Sequence, residues 1–153
     1  TMKELTFSQF NRELNRMYKE CNEFYHALAK HFGLSDSAFD ILYALDGLGD
    51  GCLQKDVCTA SGLSKQTVNT SVHKLERAGY VELRVEHGRG THLHLTEAGR
   101  VLVPKRIRPV ARAEEAAFAA MAPGECEELL RLSRVYLEHL RGLVDALPYP
   151  ERR

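Results

Sequence analysis

Between Gln54 and Leu83 the sequence QKDVCTASGLSKQTVNTSVHKLERAGYVEL sets two short helical patterns on either side of a glycine, and this spacing restricts the fold more than any other feature. In the first pattern Leu53, Val57 and Ala60 recur at helical intervals and are expected to face inward. Gly62 then allows a tight turn, and Ser64 stands where its hydroxyl can cap the second helix. In that second helix Val68, Val72 and Leu75 lie at i, i+4 and i+7 and must point inward. Gln66, Thr70, His73 and Arg77 therefore point outward, with Lys65 and Asn69 flanking them, and Gly79 closes the helix.

Two helices of this polarity joined by SGLS form a helix-turn-helix. The outward face of the second has amide, hydroxyl and cationic side chains able to reach base edges, with further cations along it for phosphates. A merely solvated helix face would have a similar composition. Net charge is zero, from 21 basic and 21 acidic residues, but it is unevenly spread. Residues 64–108 hold nine basic side chains (Lys65, Lys74, Arg77, Arg84, Arg89, Arg100, Lys105, Arg106 and Arg108) against four acidic ones, as expected if one region alone meets a polyanion.

After Gly79, Val81, Leu83 and Val85 alternate with Glu82, Arg84 and Glu86; after the turn HGRG, Leu93 and Leu95 alternate with His92 and His94. Both arms have strand periodicity, so a β-hairpin is expected, with one apolar face on the domain and Arg89 at its tip, suited to a minor groove or the flanking backbone. His87, His92 and His94 raise the question of a metal site. Arg84 would put a fixed cation among the ligands and no cysteine is near, so the favoured reading places His92 and His94 on an exposed strand face, with phosphate contact as the other alternative.

The flanks are helical. From Ser8 to Phe32 apolar residues recur at three- and four-residue steps until Gly33, and a second helix capped by Ser35 runs to the GLGDG stretch at 47–51. Beyond the hairpin, Thr96 caps another helix, and Pro104 and Pro109 predict a kink or break in its continuation. The last helix begins near Ala122-Pro123-Gly124, with Pro123 in its first turn, and is rich in leucine through Leu147. A helix-turn-helix with its hairpin is complete in about 60 residues, so the terminal helices must bury their apolar faces elsewhere. A second copy of the chain is the economical partner, with an intramolecular bundle as the alternative. A symmetric dimer would also set two reading helices about one turn of DNA apart, on a pseudo-palindrome.

Several classes are excluded or disfavoured. No segment approaches the roughly 18 to 20 apolar residues of a membrane span and no signal-peptide pattern opens the chain, so a cytoplasmic location is expected. Cys21, Cys52, Cys58 and Cys126 lack metal or redox spacing and are read as reduced, small buried apolar residues. No phosphate loop, paired acidic motif or nucleophile with its base is present, so neither an enzyme nor a cofactor is expected.

With these residues in place, the chain resembles the MarR family of bacterial transcriptional regulators. LSDSAFDILYAL (34–45), the segment 54–83, HLHLTEAGR (92–100) and the terminal helices carry the resemblance. It implies a mainly α, α+β winged helix-turn-helix fold in a single MarR-like subunit, with residues 34–100 binding DNA and residues 5–33 and 101–148 forming a helical dimerisation region. The implied partners are a homodimer mate and a double-stranded, pseudo-palindromic operator, with no membrane. Ser64, Lys65, Gln66, Thr67, Asn69, Thr70, His73, Lys74 and Arg77 would contact DNA from the reading helix, and Arg84 and Arg89 from the wing. His87 stands where the family usually has an aspartate, which is a departure in the wing.

Family members commonly act as repressors released by a small phenolic or lipophilic effector. The resemblance points to Phe24, Tyr25, Phe39 and Tyr43 as pocket residues, although they serve equally well as core. Two alternatives accompany this reading: a thiol-based redox regulator acting through Cys21, with Tyr25 one turn later, and a winged-helix module that docks a protein. A zinc-sensing variant finds no matching spacing among His26, His31 and His139.

Overall fold

Capping residues and glycines divide the chain into seven α-helices and three short strands among the described residues, which in this computed structural model are 4–86, 88 and 90–148. Helix α1 spans Phe7–His31 and starts from a capping box: Thr6 accepts from the Gln9 amide while the Gln9 side chain reaches back to the Thr6 backbone. Helix α2 spans Asp36–Leu48 with Ser35 as its cap. Strand β1 (Cys52–Leu53) leads into α3 (Gln54–Ser61), and α4 (Lys65–Arg77) follows. Strands β2 (Val81–Val85) and β3 (Thr91–Leu95) form the hairpin, and α5 (Glu97–Leu102) begins at the Thr96 cap. Helices α6 (Arg108–Ala120) and α7 (Glu125–Asp145) complete the chain.

The chain divides into two compact units, Thr1–Ala111 and Arg112–Arg153. The core of the first is built on α2, whose Phe39, Ile41, Leu42 and Leu45 are all buried. Val57 of α3, Val68, Val72 and Leu75 of α4, Val81 and Leu93 of the hairpin, and Val103, Ile107 and Val110 close around it. Of α1, only Ala29 is buried, with Leu28 and the adjoining Phe32 packed against the core, whereas Met17, Tyr18 and Phe24 remain exposed. In the second unit α7 has three acidic residues in its first turn, Glu125, Glu127 and Glu128, which favour the positive end of the helix dipole. None of its residues is buried in the single chain.

Four expectations need correction. Ala60 is exposed, and Leu53 lies in β1 rather than in α3, so Val57, with the half-buried Cys58 beside it, anchors that helix. The prolines do not break the helix after α5. Residues Val103–Ile107 form a π-helical turn in which the Arg108 amide donates to the Val103 carbonyl, and this wider turn takes in Pro104, which has no amide to donate. Pro123 lies outside α7, because Gly124, in the left-handed region, is its cap. Finally, Cys21 is exposed, not buried; all four cysteines are free thiols. No helix among the described residues is long and apolar enough to cross a membrane.

Candidate nucleic-acid interface

The reading helix α4 owes its orientation to a short sequence of local events. Gly62 ends α3 in the left-handed conformation (φ 68°), where its amide donates to the Cys58 carbonyl. Leu63 tucks against the core, and Ser64 Oγ accepts from the Thr67 amide at 3.1 Å to start α4. Val68, Ser71, Val72 and Leu75 then form one buried face. Ser71 Oγ lies 2.7 Å from Ser37 Oγ on α2, so the only polar residue in the core among the described residues is paired.

The opposite face is free for a ligand. Gln66, Thr70, His73 and Arg77, with Lys65 and Asn69 beside them, are exposed as the helical period predicted, and Thr67 and Lys74 are exposed too. Lys65, Lys74 and Arg77 have no acidic partner among the described residues. The one carboxylate on α4, Glu76, turns toward the hairpin, where it accepts from the Leu83 amide at 3.3 Å, with His73 Nδ1 at 3.7 Å. Ser64 and Thr67, whose hydroxyls are 2.8 Å apart, also serve the cap.

Sequence reasoning missed part of this surface. A cleft of about 450 Å³ opens between α3, α4 and the base of the wing, lined by Leu53, Gln54, Lys55, Cys58, Lys65, Asn69, Gly90 and Thr91. Two lysines and no carboxylate line it, so Lys55 and Gln54 join Lys65 and Asn69 on one side of the molecule. The signal was present: in a helix-turn-helix the helix before the reading helix crosses the DNA backbone, and Gln54 and Lys55 open that helix.

The wing is more firmly seated than its alternating pattern indicated. Strand β3 is central, pairing antiparallel with β2 (Leu83 opposite Leu93) and with β1 (Leu53 opposite His92). As a result His92 and His94 are half-buried, not exposed. His92 Nδ1 donates to the Gly51 carbonyl at 2.8 Å, and His94 Nε2 to Glu86 Oε1 at 2.8 Å. The other side of the loop is tied as well: Asp50 accepts from the Leu95 amide at 2.7 Å and from Arg100 at 3.3 Å. Val85, by contrast, is 74% exposed despite its apolar register. His87 and Arg89 lie outside the described residues.

Much of the basic excess in residues 64–108 meets internal partners. Arg100 pairs with Asp50, Arg108 with Asp46 at 3.2 Å, and Arg106 donates to the Phe32 carbonyl. Arg84, although exposed, pairs with Glu82 at 2.9 Å, and its hydrogen bond holds the Glu82 carboxyl below the usual carboxylate range. Of the basic side chains in residues 64–108, Lys65, Lys74, Arg77 and Lys105 have no hydrogen-bond or acidic partner among the described residues, and three of these four are on α4.

The proposed effector residues separate into two groups. Tyr25 and Phe39 line a cavity of about 280 Å³ between α1 and α2, together with Asn22, His26, Asp36 and Asp40. Phe24, 58% exposed and edge-on to Tyr25, and Tyr43, beside Phe39, do not line it. Among the described residues, no group of three potential metal ligands comes together.

This winged helix has known counterparts. Residues 32–90, from the end of α1 through the wing turn, match the MarR family model. The winged-helix segment is thus similar to the MarR family. Solved MarR structures extend the likeness beyond that segment. A MarR family regulator from Neisseria meningitidis is 22% identical with a TM-score of 0.69, covering 90% of this chain and 96% of that one. S. aureus MepR, solved as a DNA complex, is 20% identical with a TM-score of 0.67 over 88% and 96% of the two chains. Bordetella bronchiseptica BpsR, whose DNA binding is regulated by 6-hydroxynicotinic acid, is 22% identical with a TM-score of 0.63 over 87% and 98%. At these identities the likeness establishes a shared MarR fold, including the flanking helices. No curated protein matches the chain in sequence.

Proposed function

We propose that this chain is a non-catalytic MarR-family transcriptional regulator that binds a pseudo-palindromic operator as a homodimer and represses until a small ligand releases it. The observation that carries the reading is the partition of α4: four residues buried on α2, and a cationic, amide- and hydroxyl-bearing face exposed beside Lys55. In this reading Gln66, Asn69 and Thr70 meet base edges, while Lys55, Lys65, Lys74 and Arg77 meet phosphates. Arg84, and Arg89 from the wing turn, contact the flanking groove. MepR in its DNA complex and BpsR with its regulating ligand support the same use of the fold.

The homodimer rests on apolar surface. Leu129, Leu132, Leu137, Leu140 and Leu143 of α7 are exposed in the single chain, as are Phe7, Met17 and Phe24 of α1. A monomer seldom leaves so many large apolar side chains in water. Selecting bound duplexes from a random pool at two salt concentrations tests the reading. Enrichment of a two-fold-related motif whose binding weakens steeply with salt is expected; failure to retain any duplex at low salt refutes it.

A further inference from the structure

The cavity between α1 and α2 has a chemistry that a phenolic effector does not match. Asn22, Tyr25 and His26 line it from one face of α1, and Asp36, Phe39 and Asp40 from α2, both sets at i, i+3 and i+4. Its volume of about 280 Å³ suits one small aromatic molecule. Asp36 is engaged by His26, whose Nδ1 lies 2.8 and 3.0 Å from its two oxygens. Asp40 is half-buried and makes no hydrogen bond or ion pair with any described residue. Burial, and then the charge of Asp36, push its carboxyl above the usual range. No lysine or arginine lines the cavity. A carboxylate that has lost water without gaining a partner is stabilised by an incoming cation, and aromatic rings favour the same charge over their faces. The same field repels a carboxylate or phenolate.

We propose that this cavity binds a small aromatic cation, an amidinium or ammonium whose charge meets Asp40 and whose ring lies against Tyr25 and Phe39. The proposal rests on the effector reading above and changes the class of the effector. A route to the DNA-binding face is built in: Ser37, next to Asp36 in the first turn of α2, holds Ser71 on the buried side of α4. A ligand that moves this turn acts on the reading helix through that contact.

Calorimetry on the full chain with benzamidinium, benzamide and benzoate separates the classes, because the three probes share a ring and a size and differ in charge. Benzamidinium is expected to bind roughly tenfold more tightly than benzamide, with benzoate weakest. In Asp40→Asn, confirmed as folded by thermal melting, the cation's advantage should shrink to within about twofold. Tyr25→Leu should weaken the cation while leaving Asp40 in place. A preference for benzoate, equal binding of all three, no binding at millimolar concentration, or an unchanged preference in Asp40→Asn overturns the proposal. Duplex binding by the same preparation without ligand keeps the two readings apart. Retained DNA binding without cation binding removes this proposal alone, whereas loss of DNA binding by the unaltered chain removes the regulator reading.

Discussion

The hydroxyls of Ser37 and Ser71 meet at 2.7 Å between α2 and α4, inside a contact otherwise made of Val68, Val72, Leu75 and the apolar side chains of α2. Because the contact is directional, it sets the rotation of the reading helix, which apolar packing constrains less sharply. Ser71→Ala should lower stability by about 0.5 to 1.5 kcal/mol in urea unfolding. Combined with Ser37→Ala it should cost little more than the larger single change, since both remove the same bond. Additive losses would show that the two hydroxyls act separately.

Gly99 supplies a steric test of how α5 packs. A Cβ there would stand 2.2 Å from the Tyr80 carbonyl oxygen, which already accepts from the Thr96 amide at 3.1 Å and has no freedom to retreat. Gly99→Ala should destabilise by roughly 2 to 3 kcal/mol. Gly47→Ala is the control: it lies in α2 with nothing within 4 Å, so exchanging glycine for alanine in a helix should be neutral or stabilising, by up to about 1 kcal/mol. A shared sign for the two changes in the urea midpoint would contradict the packing described for α5.

Asp40 predicts a pH dependence whose sign follows from its environment. Its folded pKa lies above the ordinary value of 3.8, so between those two values the folded chain holds the proton that the unfolded chain releases. Stability from this group is therefore lost as pH rises through the folded pKa. Asp40→Asn should be more stable than the parent at pH 7, and the difference should vanish below the unfolded value. Denaturation midpoints across this range check it; a variant less stable at pH 7 would mean that Asp40 has a stabilising partner.

The two sides of the DNA-binding cleft should respond differently to substitution. Lys55→Ala should weaken specific and random duplexes alike and reduce the salt slope by about one. Asn69→Ala or Gln66→Ala should instead relax sequence preference, by about 1 to 3 kcal/mol at one base pair. Equal losses on both kinds of duplex for Gln66→Ala would place that residue on phosphate.

Helix α7 has 21 residues and none is buried in the single chain, although helices in proteins draw most of their stability from packing an amphipathic face. Leu140→Glu should therefore produce a monomer in sedimentation analysis and weaken operator binding, because linked half-sites bind far better than single ones. A parent chain that already sediments as a monomer at micromolar concentration would refute the dimer.

Most of the secondary structure was legible because its signals are local. Ser35, Ser64 and Thr96 cap the helices they precede, and Gly62 takes the left-handed turn between α3 and α4. The outward placing of Gln66, Thr70, His73 and Arg77 on α4, with Lys65 and Asn69 beside them, follows from the helical period alone. Two features depend on a distant segment. Strand β1 is only two residues long and exists because β3 pairs with it; no periodicity can be read in two residues. His92 and His94 looked like a solvent face until the loop at 49–51 and Glu86 closed over them.

What the sequence determines by itself is the order of the elements and the polarity of the reading helix, because capping, turn geometry and a 3.6-residue period act over a few neighbours. Tertiary structure alone decides which charges remain available. Arg100 meets Asp50 across 50 residues of chain and Arg108 meets Asp46 across 62, while Lys55 comes to lie beside Lys65. Asp40 is left without a partner among the described residues for the same reason. Charge pairing depends on distances in space, and those are set by how the core around α2 closes.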